Sequence, residues 1–462
     1  MRVKKNPYYS FVLAEEFFVF IDLIKWFSIA SLIGGLVGSV VSLFLKMLDV
    51  SIQQSHQIPY IFLALPLIFL LNHWITKNFS PDAKGHGTEK VIKAVHQQQG
   101  ALRFRVAPIK FLITILTLSF GGSAGKEGPS GQIGAAMSSS LAGIFKMTKE
   151  DRKKMVICGV SAGFAAVFGT PIAGAIFGVE VLFVGRLLYG FLLPSLIAGL
   201  VSYQVCQLLG VHSEFVFAIT VPSFSSLLIL KIIFGAFLFG LGAVVFIEVM
   251  RFAHKISKKY EQRTFKKIVC GGMLLSCFLF LFQDLNLAGL GTESIRATLL
   301  GSQMDFKAPF LKIVTTALTL NFGGSGGILT PILYVGSGFG SLLATFLKLD
   351  VAFFAALGMV SFLAGMANTP IAAMLLAIEL FGTDITPYAA LCCIMCYIIS
   401  GSRSVFPAQI MIEQKSEVSS GKMGDNVAEQ HPHLQFKTLK TISKSKKIIK
   451  KLSHKVQFHS FL

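Results

Sequence analysis

The sequence predicts an all-α polytopic membrane protein, built as an internally duplicated inverted repeat with many tilted and half-spanning helices. Three observations predict it. Apolar residues make up 53% of the 462-residue chain and charged residues only 14%, with a mean hydropathy of +0.68. Glycine is as frequent as phenylalanine, 43 of each, and glycine is commoner in membrane helices than in soluble ones. Finally, Leu116 to Pro129 (LTLSFGGSAGKEGP) returns as Leu318 to Pro331 (LTLNFGGSGGILTP), identical at nine of fourteen positions.

Residues 1–17 read as a short amphipathic cytoplasmic lead-in. A first span from about Phe18 to Leu48 is long enough to require tilting, and a second follows from about Pro59 to Lys77. The chain turns polar between Asn78 and Arg105, with Lys84-Gly85-His86-Gly87-Thr88-Glu89 near the middle. Apolar segments then fall at roughly 108–120, 129–147, 155–168 and 170–188, several too short to cross about 30 Å of hydrocarbon. Short, glycine- and proline-broken segments in matching places of two halves mark a transporter-type binding site. The halves are placed at about 18–210 and 220–412, within a transmembrane unit of 18–412. Thr170-Pro171-Ile172-Ala173 with Glu180 recurs as Thr369-Pro370-Ile371-Ala372 with Glu379. The basic loop 146–154 corresponds to Lys348-Leu349-Asp350, which has lost most of that charge. Inversion of the second repeat accounts for this, because the same loop then faces the other side.

Forty-two Lys and Arg against 23 Asp and Glu give a net charge of +19. The excess flanks hydrophobic spans at the N-terminus, at 146–154, at 251–267 and in the last thirty residues. The pattern fits cytoplasmic loops with both termini inside, and no nucleic-acid surface is expected. Residues 413–462 read as a basic cytoplasmic tail, disordered or held weakly on anionic lipid. Seven cysteines, all in apolar runs, argue against a disulfide framework. Cys392, Cys393 and Cys396 read as helix-packing residues and no metal is expected.

Within the first repeat, Gly121-Gly122-Ser123-Ala124-Gly125-Lys126-Glu127-Gly128-Pro129 sets a lysine and a carboxylate among four glycines at membrane depth. A charge there is costly, about 3 kcal/mol on insertion scales. The string is no phosphate loop: Glu127 stands where a Ser or Thr should follow the lysine. Pro129 suits the first turn of a helix, so a helix N-terminus with free amides should point at something negative. One terminus offers an anion only about 0.3–1 kcal/mol. Several must therefore converge and donate directly, at about 1.5–3 kcal/mol per hydrogen bond to a charge. The repeats supply Lys126-Glu127-Gly128 and Ile328-Leu329-Thr330. Glu127 corresponds to Leu329, so the repeated fold does not require a carboxylate; it suits a tethered anion that acts as a gate. The plainer alternative is that the glycines serve close packing and Glu127 pairs with Lys126.

GKEGP followed by Gln132-Ile133-Gly134, with GGILTP in the second half, resembles the CLC family of chloride channels and proton/chloride antiporters, whose motifs are G(K/R)EGP and GxFxP. The resemblance covers roughly residues 18–412. It implies a homodimer with one pore per subunit in a bacterial-type cytoplasmic membrane, and a transporter, not an enzyme. It implies an external gate at Glu127 and anion sites lined by Gly125, Lys126, Glu127, Gly128, Ile328, Leu329 and Thr330. Chloride is the expected bound ligand, and no cofactor is expected.

Four departures carry consequences. His86 replaces the serine of the family's GSGIP loop, so either its imidazole makes anion binding pH-sensitive or the loop bends away and only Gly85 and Gly87 matter. Phe406 stands for a tyrosine and lacks its hydroxyl. Leu329 stands for a phenylalanine. Val181 occupies the inner proton-relay position next to Glu180, which favours passive chloride flow over proton/chloride exchange, although a water chain or Glu180 itself could substitute. A fluoride-exporting role is disfavoured because Gly128-Pro129 follow the gate in the usual form. A non-conducting scaffold acting through its tail is the remaining alternative.

Overall fold

The computed structural model describes residues 7–416 apart from 213–214 and 284–285, and then 419–420, 423–430 and 433–434, with side chains from residue 15 onward. Most of the 413–462 tail therefore lies outside the described residues. Sixteen α-helices occur among the described residues. The first eight are α1 (Pro7–His56), α2 (Leu65–Phe79), α3 (Gly87–Gln97), α4 (Val106–Ser119), α5 (Glu127–Ile144), α6 (Lys149–Phe168), α7 (Pro171–Glu180) and α8 (Tyr189–Leu208). Their counterparts follow in the same order: α9 (Ser226–Lys259), α10 (Thr264–Phe282), α11 (Thr292–Leu299), α12 (Ala308–Phe322), α13 (Leu329–Leu347), α14 (Val351–Ala367), α15 (Pro370–Phe381) and α16 (Thr386–Ile399).

Lengths bear out the mixture of long and half-spanning helices. At about 1.5 Å per residue, the 50 residues of α1 reach roughly 75 Å, far beyond the hydrocarbon thickness, whereas the 10 of α7 reach only about 15 Å. The segment read as a lead-in joins the first span as one helix from Pro7. Six helices are long and apolar enough to cross a membrane among the described residues.

Local sequence explains the repeated breaks. Thr148 caps α6 by accepting from the amide of Asp151, and Asp350 caps α14 by accepting from that of Phe353. Both helices end on a left-handed residue, Gly169 (φ 66°) and Asn368 (φ 59°). Pro171 and Pro370 then open α7 and α15, where the missing N–H is no loss. Between α5 and α6 the glycines permit backbone contact, since a Cβ on Gly134 would sit 2.1 Å from the carbonyl oxygen of Gly159.

The halves interlock by exchange. Thr117 Oγ1 accepts from the amide of Ser325 (3.0 Å), and Thr319 Oγ1 accepts from that of Ser123 (2.9 Å). Glu180 accepts from the amides of Ile371 and Ala372 at the start of α15 (3.1 and 2.8 Å). Glu379 does the same for Ile172 and Ala173 at the start of α7 (3.0 and 2.7 Å). Each carboxylate thus satisfies two orphan donors of the opposite repeat. Replacing Glu180 by Ala leaves those amides unpaired and is expected to destabilise the protein by about 2–3 kcal/mol. Thermal melting of the detergent-solubilised chain reads this as a clear drop in Tm; an unchanged Tm would show that water replaces the carboxylate.

All seven cysteines are free thiols. Cys392, Cys393 and Cys396 are buried in α16, whereas Cys270 and Cys277 on α10 are exposed.

Candidate anion site

Three helix N-termini meet at the centre of the molecule, one more than the repeats alone suggested. Gly125 and Gly327 exchange both backbone hydrogen bonds, N to O at 2.7 and 2.6 Å, and so bring α5 and α13 end to end. His86 bridges Gly326 through its backbone, which adds the start of α3. A Cβ on Gly87 would lie 2.2 Å from the carbonyl oxygen of Gly128, and one on Gly128 would lie 3.1 Å from the Cα of Gly327. Only glycine allows these three turns to approach so closely.

Neither α5 nor α13 is capped by its own N-cap side chain, at Lys126 and Ile328 respectively. Their first amides are left for another partner, and part of that demand is met by Glu127. Its side chain is fully buried, with Oε1 accepting from Thr330 Oγ1 (2.6 Å) and Oε2 from the Thr330 amide (3.2 Å). The carboxylate of one repeat therefore rests on the helix terminus of the other, in the position a bound anion would take. Lys126, Ile328 and Leu329 are also buried around this contact.

Behind the site lies Lys110, fully buried, which was not singled out from the sequence. Its ammonium donates to Ser325 Oγ (3.0 Å), to the Ala83 carbonyl (3.4 Å) and to the Gly85 carbonyl. Lys312 makes the corresponding contacts in the second repeat, donating to the carbonyls of Asn286, Leu287 and Gly289. Each lysine precedes the first glycine of its motif, Gly121 or Gly323, by eleven residues. That recurrence was the available signal.

On the other side, the segment carrying Phe406 is held against α3. Glu89, in the first turn of α3, accepts from the amide of Ala408 at 3.1 and 3.3 Å. Phe406 is fully buried, and its amide donates to Ser404 Oγ (2.9 Å). Gln409 anchors the same segment, donating from Nε2 to the carbonyls of Val181 and Ala367, both at 2.8 Å. The short strands β1 (Phe183–Val184) and β2 (Ile410–Met411) pair in parallel beside it. His86 and Phe406 thus lie close to either end of one clamp. The Nδ1 of His86 is buried without a hydrogen-bond partner. Val181 is buried at the end of α7, while the adjacent Glu180 is committed to its two amides.

Burial raises the Glu89 carboxyl from its ordinary 4.5 to about 7, against the lowering effects of the Ala408 amide, Lys90 and Lys93. A raised folded-state value means that the fold holds this proton more tightly than the unfolded chain. Its contribution to stability is full below about pH 4.5 and is lost as pH rises towards 7. Wild type should therefore lose Tm relative to Glu89→Gln as pH is raised from about 4.5 to about 8. A pH-independent difference would place the carboxylate in water.

Comparison with known proteins supplies the lineage. Residues 68–401 match the family model described as voltage gated chloride channel. The "Chloride/fluoride channel protein" of Pseudomonas syringae pv. tomato is 34% identical over 402 residues, covering 83% of this chain and 86% of that one. The "H(+)/Cl(-) exchange transporter ClcA" of Vibrio cholerae is 29% identical over 347 residues, covering 69% of this chain and 71% of its own. The crystal structure of a CLC-type fluoride/proton antiporter superposes with a TM-score of 0.80 at 28% identity, covering 85% of this chain and 99% of that one. With the glycine-bridged helix ends and this match over most of its length, the chain belongs to the CLC family of anion-transporting membrane proteins.

Proposed function

We propose that this protein exchanges a small halide, fluoride together with chloride, for protons across a bacterial-type cytoplasmic membrane, as a homodimer with both termini inside. The observation that carries the reading is the seat of Glu127 on Thr330. A carboxylate held there competes with an anion for the same amide and hydroxyl. Once protonated it is neutral, competes poorly and can leave with its proton. One residue can thereby act as both gate and proton carrier.

Fluoride is compact and tightly hydrated, so it gives up water only to closely set, strong donors. Backbone amides joined by the Thr330 hydroxyl are of that kind. The Gly128-Pro129 pair, which weighed against fluoride in the sequence, has a packing reason: Gly128 must approach Gly87 and Gly327 closely. The glycine of the pair is accounted for by packing whichever anion is carried. The names of the Pseudomonas relative and of the fluoride/proton antiporter support the same choice.

The second reading, a passive channel, rests on Val181, whose apolar side chain cannot relay a proton from the inner side. Proteoliposomes holding the purified chain, given fluoride or chloride gradients, distinguish the two. Exchange drives protons uphill against the halide gradient. Halide flux without proton movement favours the channel, and absence of flux for both ions removes either reading.

A further inference from the structure

A second pocket for an anion lies behind the halide site, between the basic ends of α2 and α10. It is a cavity of about 60 Å³ whose lining includes Lys84, His73, Lys267, Asn72, Gly85 and Ser325. One water requires roughly 10–15 Å³ of such space, so several atoms fit. Among the described residues, no ion pair or hydrogen bond engages the side chains of Lys84, His73 or Lys267. Lys77 lies within electrostatic reach of His73 and adds to the positive field, while Glu261 opposes it from beside Lys267.

Asn72 supplies an independent pointer. It is 2% exposed and donates from Nδ2 to Thr117 Oγ1 (2.9 Å), but its Oδ1 has no partner. A buried amide oxygen without a donor is costly, about 1–3 kcal/mol. A single partner that answers both features is negative enough for the bases and still carries a proton for Asn72. A halide has no proton to give. A phosphate monoester group has both properties, through its anionic oxygens and its P–OH.

We propose that this cavity binds a phosphate group that keeps a P–OH, free or as a monoester, with Lys84 and Lys267 neutralising its charge, His73 offering a ring N–H, and the P–OH donating to Asn72 Oδ1. The occupant comes either from water, as hydrogenphosphate, or from the leaflet, as the headgroup of phosphatidate, since α2 and α10, each with the short turn before it (Ile61–Phe79 and Glu261–Phe282), are long enough to span. Its walls reach the halide site. Gly85 and Ser325 are both bonded to Lys110, and each is one residue from the His86–Gly326 bridge. Occupancy thus steadies the turn at the start of α3, and only this last step rests on the transport reading.

The test is thermal melting of the purified full chain in neutral detergent, titrated with phosphate, sulfate or chloride at matched ionic strength and pH 7. Phosphate should raise Tm with half-saturation at least tenfold below that of sulfate, which has no proton to donate at this pH. Lys84→Gln combined with Lys267→Gln should abolish the shift, and Lys348→Gln, outside the lining, should preserve it. Broadening of the phosphate ³¹P resonance by wild type, and not by the double variant, gives a second reading that does not depend on melting. Short-chain phosphatidate acting at lower concentration than inorganic phosphate identifies the lipid as the source; the reverse order identifies the free ion. An equal response to sulfate, a shift that survives in the double variant, or no response to either phosphate source overturns the proposal. Because no transport is measured, such a failure leaves the halide reading untouched.

Discussion

Glu127→Ala should convert a pH-gated protein into one that leaks halide across the whole range from pH 5 to 8. In wild type the carboxylate takes two donors at Thr330 for which, on the proposed reading, a transported anion competes. At about 1.5–3 kcal/mol for each of the two charge-assisted bonds, its departure frees the site by a factor of about 10² to 10⁴. Efflux from proteoliposomes should rise accordingly, lose its pH dependence and cease to move protons. Glu127→Gln keeps the shape without the charge and should fall between the two. Retention of wild-type pH dependence by the alanine variant would remove Glu127 from the gate.

Gly87→Ala is expected to do severe structural damage at the anion site for a single added methyl. The new methyl would meet the Gly128 carbonyl oxygen at 2.2 Å, its carbon at 2.7 Å and the Gln132 Cβ at 3.0 Å. Backbone on both sides leaves no flexible group to move aside, so the clash must separate α3 from α5. The cost should exceed the usual overpacking penalty of about 1–3 kcal/mol, with loss of halide binding as well as of Tm. Gly35→Ala is the control: nothing lies within 4 Å of a Cβ there, and a helix interior gains about 1 kcal/mol from the change. Equal melting and halide binding for Gly87→Ala and wild type would show that the helix ends are not packed as described.

Much of this was legible in the chain because duplication writes the same local chemistry twice. The glycine strings, the Thr-Pro helix starts and the Glu180/Glu379 recurrence all mark backbone that must be broken and recapped in the same way. What the recurrence did not disclose was its direction. The recurrence of Glu180 as Glu379 was plain, yet its partners lie 191 and 192 residues away, at Ile371 and Ala372. No spacing within one repeat can announce a donor in the other. The clamp of Glu89 on Ala408 spans 319 residues; its string Gly85-His86-Gly87-Thr88-Glu89 returns as Gly289-Leu290-Gly291-Thr292-Glu293, but that recurrence does not name a donor so far along the chain. Lys110 was overlooked for a different reason: one cation in an apolar run barely alters its hydropathy, although its twin Lys312 stood at the same offset.

The crossed hydrogen bonds between repeats bear on ancestry. Thr117, Glu180 and Gly125 each complete something in the second repeat, and Thr319, Glu379 and Gly327 return the same service to the first. A lone half would present these donors and acceptors with nothing to meet them. Two separate copies facing opposite ways could supply each other, as the fused chain now does. Fusion then releases one member of a pair to change while the other keeps the scaffold. The carboxylate at residue 127, opposite a leucine at 329, is one such difference between the two copies.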